Sequence, residues 1–133
     1  MKKLLIALLL FVSSCKNYTK AAEYKIGLAS HYSVSTNRGI KTSSGIPLCD
    51  KKYTVASTVY PLHTRVRVTN LRNGNSIFAV VTDRGPFATN SQGRAVRPLR
   101  PHPNRIVDVS QAAAKALGFH QHGVARVKVQ KVK

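Results

Sequence analysis

A mainly-β, closed architecture with one short helix is what this 133-residue sequence predicts, and three observations carry the prediction. Short apolar runs alternate with polar or charged residues at period two. An Asn-Gly turn joins two of those runs, and a single stretch places good helix formers between a capping serine and a terminating glycine. Closing the strands into a barrel removes the unpaired edges that a strand-rich chain otherwise exposes.

Ile26 to Tyr32 is the first expected strand, and Tyr53 to Thr58 a second, shorter one. Between them Gly39-Ile40-Lys41-Thr42-Ser43-Ser44-Gly45 is small and polar, which predicts a loop. Arg65-Val66-Arg67-Val68-Thr69 alternates charge with β-branched residues, Asn73-Gly74 turns the chain, and Ser76 to Val81 returns as an apolar strand. This is the strongest hairpin signal present. From Phe87 to Arg105, Pro98, Pro101 and Pro103 are interleaved with Arg94, Arg97, Arg100 and Arg105, which excludes a strand inside a central sheet. That segment reads either as a basic flap over a groove or as a solvated surface loop. Ser110-Gln111-Ala112-Ala113-Ala114-Lys115-Ala116-Leu117-Gly118 predicts the helix, and Val124 to Val129 alternates again as a last strand. No internal repeat is present.

The N-terminal end has a different character. Lys2 and Lys3 precede an apolar core from Leu4 to Val12, and small Ser13 and Ser14 stand before Cys15. The apolar core is far short of the roughly 20 residues that span a bilayer. A hydrophobic stretch, two small residues and a cysteine resemble the lipobox of bacterial lipoproteins, which implies cleavage before Cys15 and acylation of its thiol. A plain signal cut near Ala21-Ala22 is the alternative. Residues 1–14 are thus expected to be a signal, 15–23 a lipidated tether, and 24–133 one folded domain of ordinary size. With Cys15 lipidated, Cys49 has no partner for a disulfide within the chain. The expected location is the cell envelope, lipid-anchored and facing the periplasm, at the outer rather than the inner membrane.

A formal net charge of +18, with only four acidic residues, implies an anionic neighbour. Export removes nucleic acid as the ordinary partner and leaves cell-wall carboxylates, lipid phosphates or acidic polymers. Among the four acids, Asp83 lies in Thr82-Asp83-Arg84-Gly85-Pro86-Phe87, directly behind the apolar run Ile77 to Val81. A scarce carboxylate at the end of a buried strand, followed by a turn that ends the ladder, is placed where a site is built.

Four motifs then stand in order. Gly27-Leu28-Ala29-Ser30-His31-Tyr32, the run Tyr60-Pro61-Leu62-His63 through Leu71, Thr82 to Phe87, and Arg105-Ile106-Val107-Asp108-Val109-Ser110 through Gly118 resemble the rare lipoprotein A family from about residue 26 to the end. The resemblance implies a six-stranded double-psi β-barrel, similar to the expansin and barwin barrels. It also implies an endolytic lytic transglycosylase that acts on peptide-free glycan strands of peptidoglycan and leaves 1,6-anhydro-muramyl ends. No cofactor or metal is implied, and a monomer is expected. Members often carry a further peptidoglycan-binding repeat domain; none is expected here, and neither is septal targeting through such a domain.

Glycoside hydrolysis needs two carboxyl groups. A lytic transglycosylase uses the sugar's own 6-hydroxyl as nucleophile, so one carboxyl can protonate the leaving oxygen and then receive the hydroxyl proton. Asp83 matches the family's aspartate. Asp108 is a second candidate, because Arg105-Ile106-Val107-Asp108 is similar to the Arg-Xaa-Asp context of the membrane-bound lytic transglycosylase A family, with one residue of difference; the alternative is that it stabilises the helix start. Asp50 reads first as a surface-turn aspartate beside Lys51 and Lys52. Thr42, Gly45, Arg84 and Arg105 are candidate substrate contacts by the same resemblance. Two positions depart from the family: Ile46 stands for a glutamate implicated in catalysis, and Ser57 for a histidine. A rival reading is therefore a non-catalytic glycan binder.

Electrostatics sharpens the question. A general acid near neutral pH needs burial to raise its pKa, whereas adjacent Arg84 and Arg105 favour the ionised form of Asp83 and Asp108 unless the guanidinium groups point away. His120 and His122 have no nearby third ligand, so no metal site is expected. Tyr32, Tyr53 and Tyr60 read as sugar-stacking or as half-buried packing.

Overall fold

The computed structural model describes residues 23–133. The expected signal, the tether up to residue 22 and the lipidation site Cys15 lie outside the described residues. Six strands and one helix follow in the order β1 (Tyr24–Tyr32), β2 (Thr54–Ser57), β3 (Arg65–Asn70), β4 (Ser76–Asp83), β5 (Arg105–Ser110), α1 (Gln111–Leu117) and β6 (Val124–Lys131). They close into a barrel in the order β1-β5-β2-β4-β3-β6, with β6 returning to β1. Two neighbouring pairs, β1/β5 and β2/β4, run parallel, and the other four run antiparallel.

The interior is built mostly of valine. Val55, Val66, Val68, Val81, Val107, Val109, Val127 and Val129 are fully buried, small β-branched side chains that suit a pleated surface and a narrow barrel. In register, Val68 faces Ile77 on one side and Val129 on the other, and Val55 faces Val81 and Val109. The residues between them point outward, which is why β3 reads Arg-Val-Arg-Val. The helix adds Ala113, Ala114 and Leu117 to the same core, packing on β1, β4 and β5.

Helix ends form as the sequence implies. The Ser110 hydroxyl accepts the Ala113 N–H, and Gly118 ends the helix at φ 79° with its N–H on the Lys115 carbonyl. The hairpin also forms, with Thr69 opposite Ser76 across the Asn73-Gly74 turn. The proline-rich segment stays out of the barrel sheet; it has only isolated bridges, Phe87 to Pro101 and Thr89 to Ala95.

β5 is the element that periodicity did not mark as a strand. Arg105–Ser110 is short and carries its one polar break at Asp108, yet it lies between β1 and β2 in the sheet. Its pairing is supplied by strands about 50 to 75 residues earlier, so local pattern had little to report.

A left-handed glycine with a crowded side gives a direct test. At Gly118 an added Cβ meets the Asn73 side-chain nitrogen at 2.8 Å and the backbone has positive φ. Gly118→Ala is expected to lower stability by about 1–2 kcal/mol in urea unfolding.

Candidate functional site

β2 is only four residues long and is buried throughout, and the site is organised around it. Its Ala56 is in register with Asp108 of β5 on one side and with Asp83 of β4 on the other. The neighbouring Val55 faces Val81 and Val109 in the core, so Ala56 and both aspartates lie on the opposite, outer face. Plain alternation along β4 would put Thr82, not Asp83, beside Ala56. A register shift between Val55 and Ala56 skips Thr82 and brings Asp83 into phase. With strands spaced about 5 Å apart, the two aspartate Cα atoms lie about 10 Å apart along the sheet.

The carboxylates have different surroundings. Asp83 Oδ1 accepts three hydrogen bonds: from Ser43 N at 3.0 Å, Ser43 Oγ at 2.8 Å and Arg84 N at 2.8 Å. Ser44 N adds a bond to the Thr82 carbonyl at 3.1 Å. The turn Thr42 to Ile46 is therefore fastened to the end of β4, and Thr42 Oγ1 closes it on the Ile46 carbonyl at 2.6 Å. Thr42 and Gly45 are thus brought beside Asp83. The Arg84 guanidinium turns away, with Nη1 on the Ser57 and Tyr60 carbonyls at 2.9 and 2.8 Å.

Asp108 is half-buried and accepts a short hydrogen bond from Ser30 Oγ, its register partner on β1. Arg105 Nη1 stands 3.8 Å from Asp108 Oδ1 and donates to Ser30 Oγ at 2.9 Å. Burial raises the Asp108 carboxyl above the usual aspartate value, and the Ser30 hydrogen bond, Arg105, His102 and His31 only partly oppose it. The arginine therefore does not dominate this acid. Nor does Asp108 cap the helix; Ser110 does, and the first turn of α1 holds no acidic residue.

Tyr32, two residues beyond Ser30 on the same side of β1, stands near both aspartates. Its phenol is pushed up to about 12, first by burial and then by the negative charge of Asp83, with a smaller contribution from Asp108. Sequence reasoning placed Tyr32 among packing or stacking residues and did not single out Ser30 or Ser43. The available signal was the shared parity of Ser30 and Tyr32 in the first motif.

The remaining candidates have other partners. Asp50 Oδ1 accepts the Val34 N–H at 2.8 Å and steadies the start of the β1–β2 connection. Ser57 is fully buried, with its hydroxyl on the Val59 and Tyr60 N–H groups. Ile46 is 40% exposed. His120 stacks on His31 at 4.7 Å, Tyr60 Oη donates to the Val129 carbonyl, and Tyr53 is exposed. No group of three His, Cys, Asp or Glu gathers among the described residues. A cleft of about 430 Å³ lined by Arg72, Phe119, Val124 and Arg126 holds no carboxylate.

Comparison with known proteins agrees with this architecture. A family model described as lytic transglycolase matches residues 24–129. The endolytic peptidoglycan transglycosylase RlpA of Neisseria meningitidis is 40% identical over 121 residues, covering 88% of this chain and 44% of that protein. The protein of the same name from Haemophilus influenzae is 33% identical over 116 residues, covering 86% and 35%. The chain thus spans less than half the length of these curated relatives. Among solved structures, the Streptomyces papain inhibitor has a TM-score of 0.57 at 22% identity, covering 84% of this chain and 96% of that one. An expansin of Clavibacter michiganensis has a TM-score of 0.55 at 21% identity, covering 84% and 51%. These likenesses show the double-psi β-barrel fold.

Two tests follow from the contrast between the acids. Asp83→Ala is expected to cost about 1–2 kcal/mol and to speed amide exchange in residues 42–46, with Asp83→Asn milder because Oδ1 is kept. Unchanged exchange there would remove the anchoring role. Asp108, raised by burial, keeps its proton in the folded state at pH values where the unfolded chain has lost it. Its contribution to stability therefore falls as pH rises from the ordinary aspartate value through the folded one. In urea titrations Asp108→Asn should flatten that decline.

Proposed function

The chain belongs to the rare lipoprotein A family, and from that membership we propose that it is an endolytic peptidoglycan lytic transglycosylase acting on peptide-free glycan strands. The observation that carries the reading is the placement of Asp83 and Asp108 on one outer face, both in register with Ala56. Asp108, whose carboxyl burial pushes above the ordinary aspartate value, gives a proton to the glycosidic oxygen as the bond to C1 breaks. Negative charge at Asp83 stabilises the oxocarbenium-like centre. The sugar's 6-hydroxyl then bonds to C1 and returns its proton to the Asp108 carboxylate, which leaves a 1,6-anhydro end and restores the acid. Thr42 and Gly45 border the path of the glycan, whereas Arg84 and Arg105 are taken up by the Ser57 and Tyr60 carbonyls and by Ser30. On the same reading the mature chain is exported and held by a lipid on Cys15 at the periplasmic face of the outer membrane.

A second reading, a non-catalytic glycan binder, is favoured by two residues. Ile46 and Ser57 stand where the family resemblance puts a glutamate and a histidine, and the Ser57 hydroxyl is taken up by Val59 and Tyr60. Neither can move a proton in that setting.

Incubating the purified protein with peptide-free glycan and analysing products by mass spectrometry tests both. Anhydro-muramyl products are expected, with Asp108→Asn lowering their rate by about 100-fold or more and Asp83→Asn lowering it less. Products that survive both substitutions refute the site. An absence of product at high protein loading, with sacculi still pulled down, favours the binder.

A further inference from the structure

Ser30 joins two groups that share no direct hydrogen bond. Its Oγ accepts from Arg105 Nη1 at 2.9 Å and donates to Asp108 Oδ1, while Arg105 Nη1 and Asp108 Oδ1 remain 3.8 Å apart. A serine hydroxyl has one proton and two lone pairs. With a guanidinium N–H pointing at its oxygen, its own proton has to face away from the arginine, toward the carboxyl. Accepting from a protonated Asp108 would use the second lone pair and turn the hydroxyl proton away from the carboxyl, so the donating arrangement seen here is the one that suits the carboxylate. The parallel pairing of Ser30 with Asp108 in β1 and β5 sets this alignment, and Ser30 is buried at 9% exposure, so solvent does not compete for it.

Arg105 is itself placed from behind. His102 Nδ1 accepts the N–H groups of Asn104 and Arg105 at 3.1 and 3.0 Å, which fastens the end of the proline-rich loop to the first residue of β5. Its Nε is buried with no partner among the described residues, so the guanidinium is committed here through Nη1.

We infer that Ser30 is a positioning residue that relays the charge of Arg105 to Asp108 as a hydrogen-bond donor, and that Arg105 acts through this serine rather than on the glycan. The relay favours the carboxylate that remains when Asp108 has given up its proton, against burial, which favours the acid. Asp108 is thereby able to lose and regain a proton in one reaction cycle. The charged and titratable groups facing Asp108 are Arg105, His102, His31 and Tyr32, and only Arg105 is connected to it by a hydrogen-bonded intermediary. The catalytic consequence rests on the proposed function; the hydrogen-bond relay does not.

Carbon-13 NMR titration of the Asp108 carboxyl in the purified protein reads the relay without any substrate. Ser30→Ala is expected to raise the titration midpoint by about one pH unit, and Ser30→Thr to restore it. Arg105→Gln should raise the midpoint in the wild-type background and have little further effect once Ser30 is alanine, the signature of action through the serine. Equal effects of Arg105→Gln in both backgrounds, or a midpoint that stays or falls in Ser30→Ala, would overturn the inference and leave Arg105 as a direct ion pair. Where anhydro products form, the high-pH limb of the rate profile should move upward in Ser30→Ala alongside the midpoint. Titration that behaves as expected in a protein that makes no product upholds the relay and rejects the proposed activity.

Discussion

The two outer aspartates depend on one skipped residue. Strand parity would set Thr82 beside Ala56, and the register shift in β4 replaces it with Asp83, on the face where Asp108 already lies. A bulge of this kind bends the strand and redirects one side chain without disturbing the core residues before it. Val81 therefore stays packed against Val55 while the next ordered partner faces outward. The short β2 makes this possible, because it pairs with β4 in parallel and β5 in antiparallel fashion and so brings strand ends from distant parts of the chain to the same rung.

Three of the four acidic residues have a visible structural use. Asp50 and Asp83 hold the start and the middle of the long β1–β2 connection, through Val34 and through Ser43. Asp108 is kept on the sheet by Ser30. Among the described residues Arg105 and Asp108 form the one ion pair within 4 Å, in a chain of net charge +18. Most basic side chains therefore remain available to an anionic surrounding, and pairing inside the fold is made by hydrogen bonds to backbone and hydroxyl groups. This also separates the two arginines that the sequence placed beside the acids. Arg84 braces the carbonyls of the β2 exit, whereas Arg105 stays with the Ser30–Asp108 pair.

The strands with strict alternation were legible because burial on one face leaves a period-two trace; Arg65 to Asn70 is the clearest case. The helix was legible from Ser110 and Gly118, whose side chain and backbone freedom act locally. β5 was not, since its strand character comes from pairing on both sides with β1 and β2. Asp83 and Asp108 could be picked out by rarity and motif. Their common face could not, because it depends on a register shift. Ser30 and Ser43 were missed for a related reason: small hydroxyl residues are ordinary in strands and loops, and their partners lie 78 and 40 positions away.

By itself the sequence determined the barrel class, the hairpin and the capped helix, which follow from periodicity and local caps, and it marked Asp83 by rarity and Asp108 by the resemblance of its motif. Tertiary structure alone decided which way each arginine points, that burial outweighs the charge beside Asp108, and that both acids meet across Ala56. Those outcomes are set by strand register and by desolvation, and both exist only once distant segments are packed together.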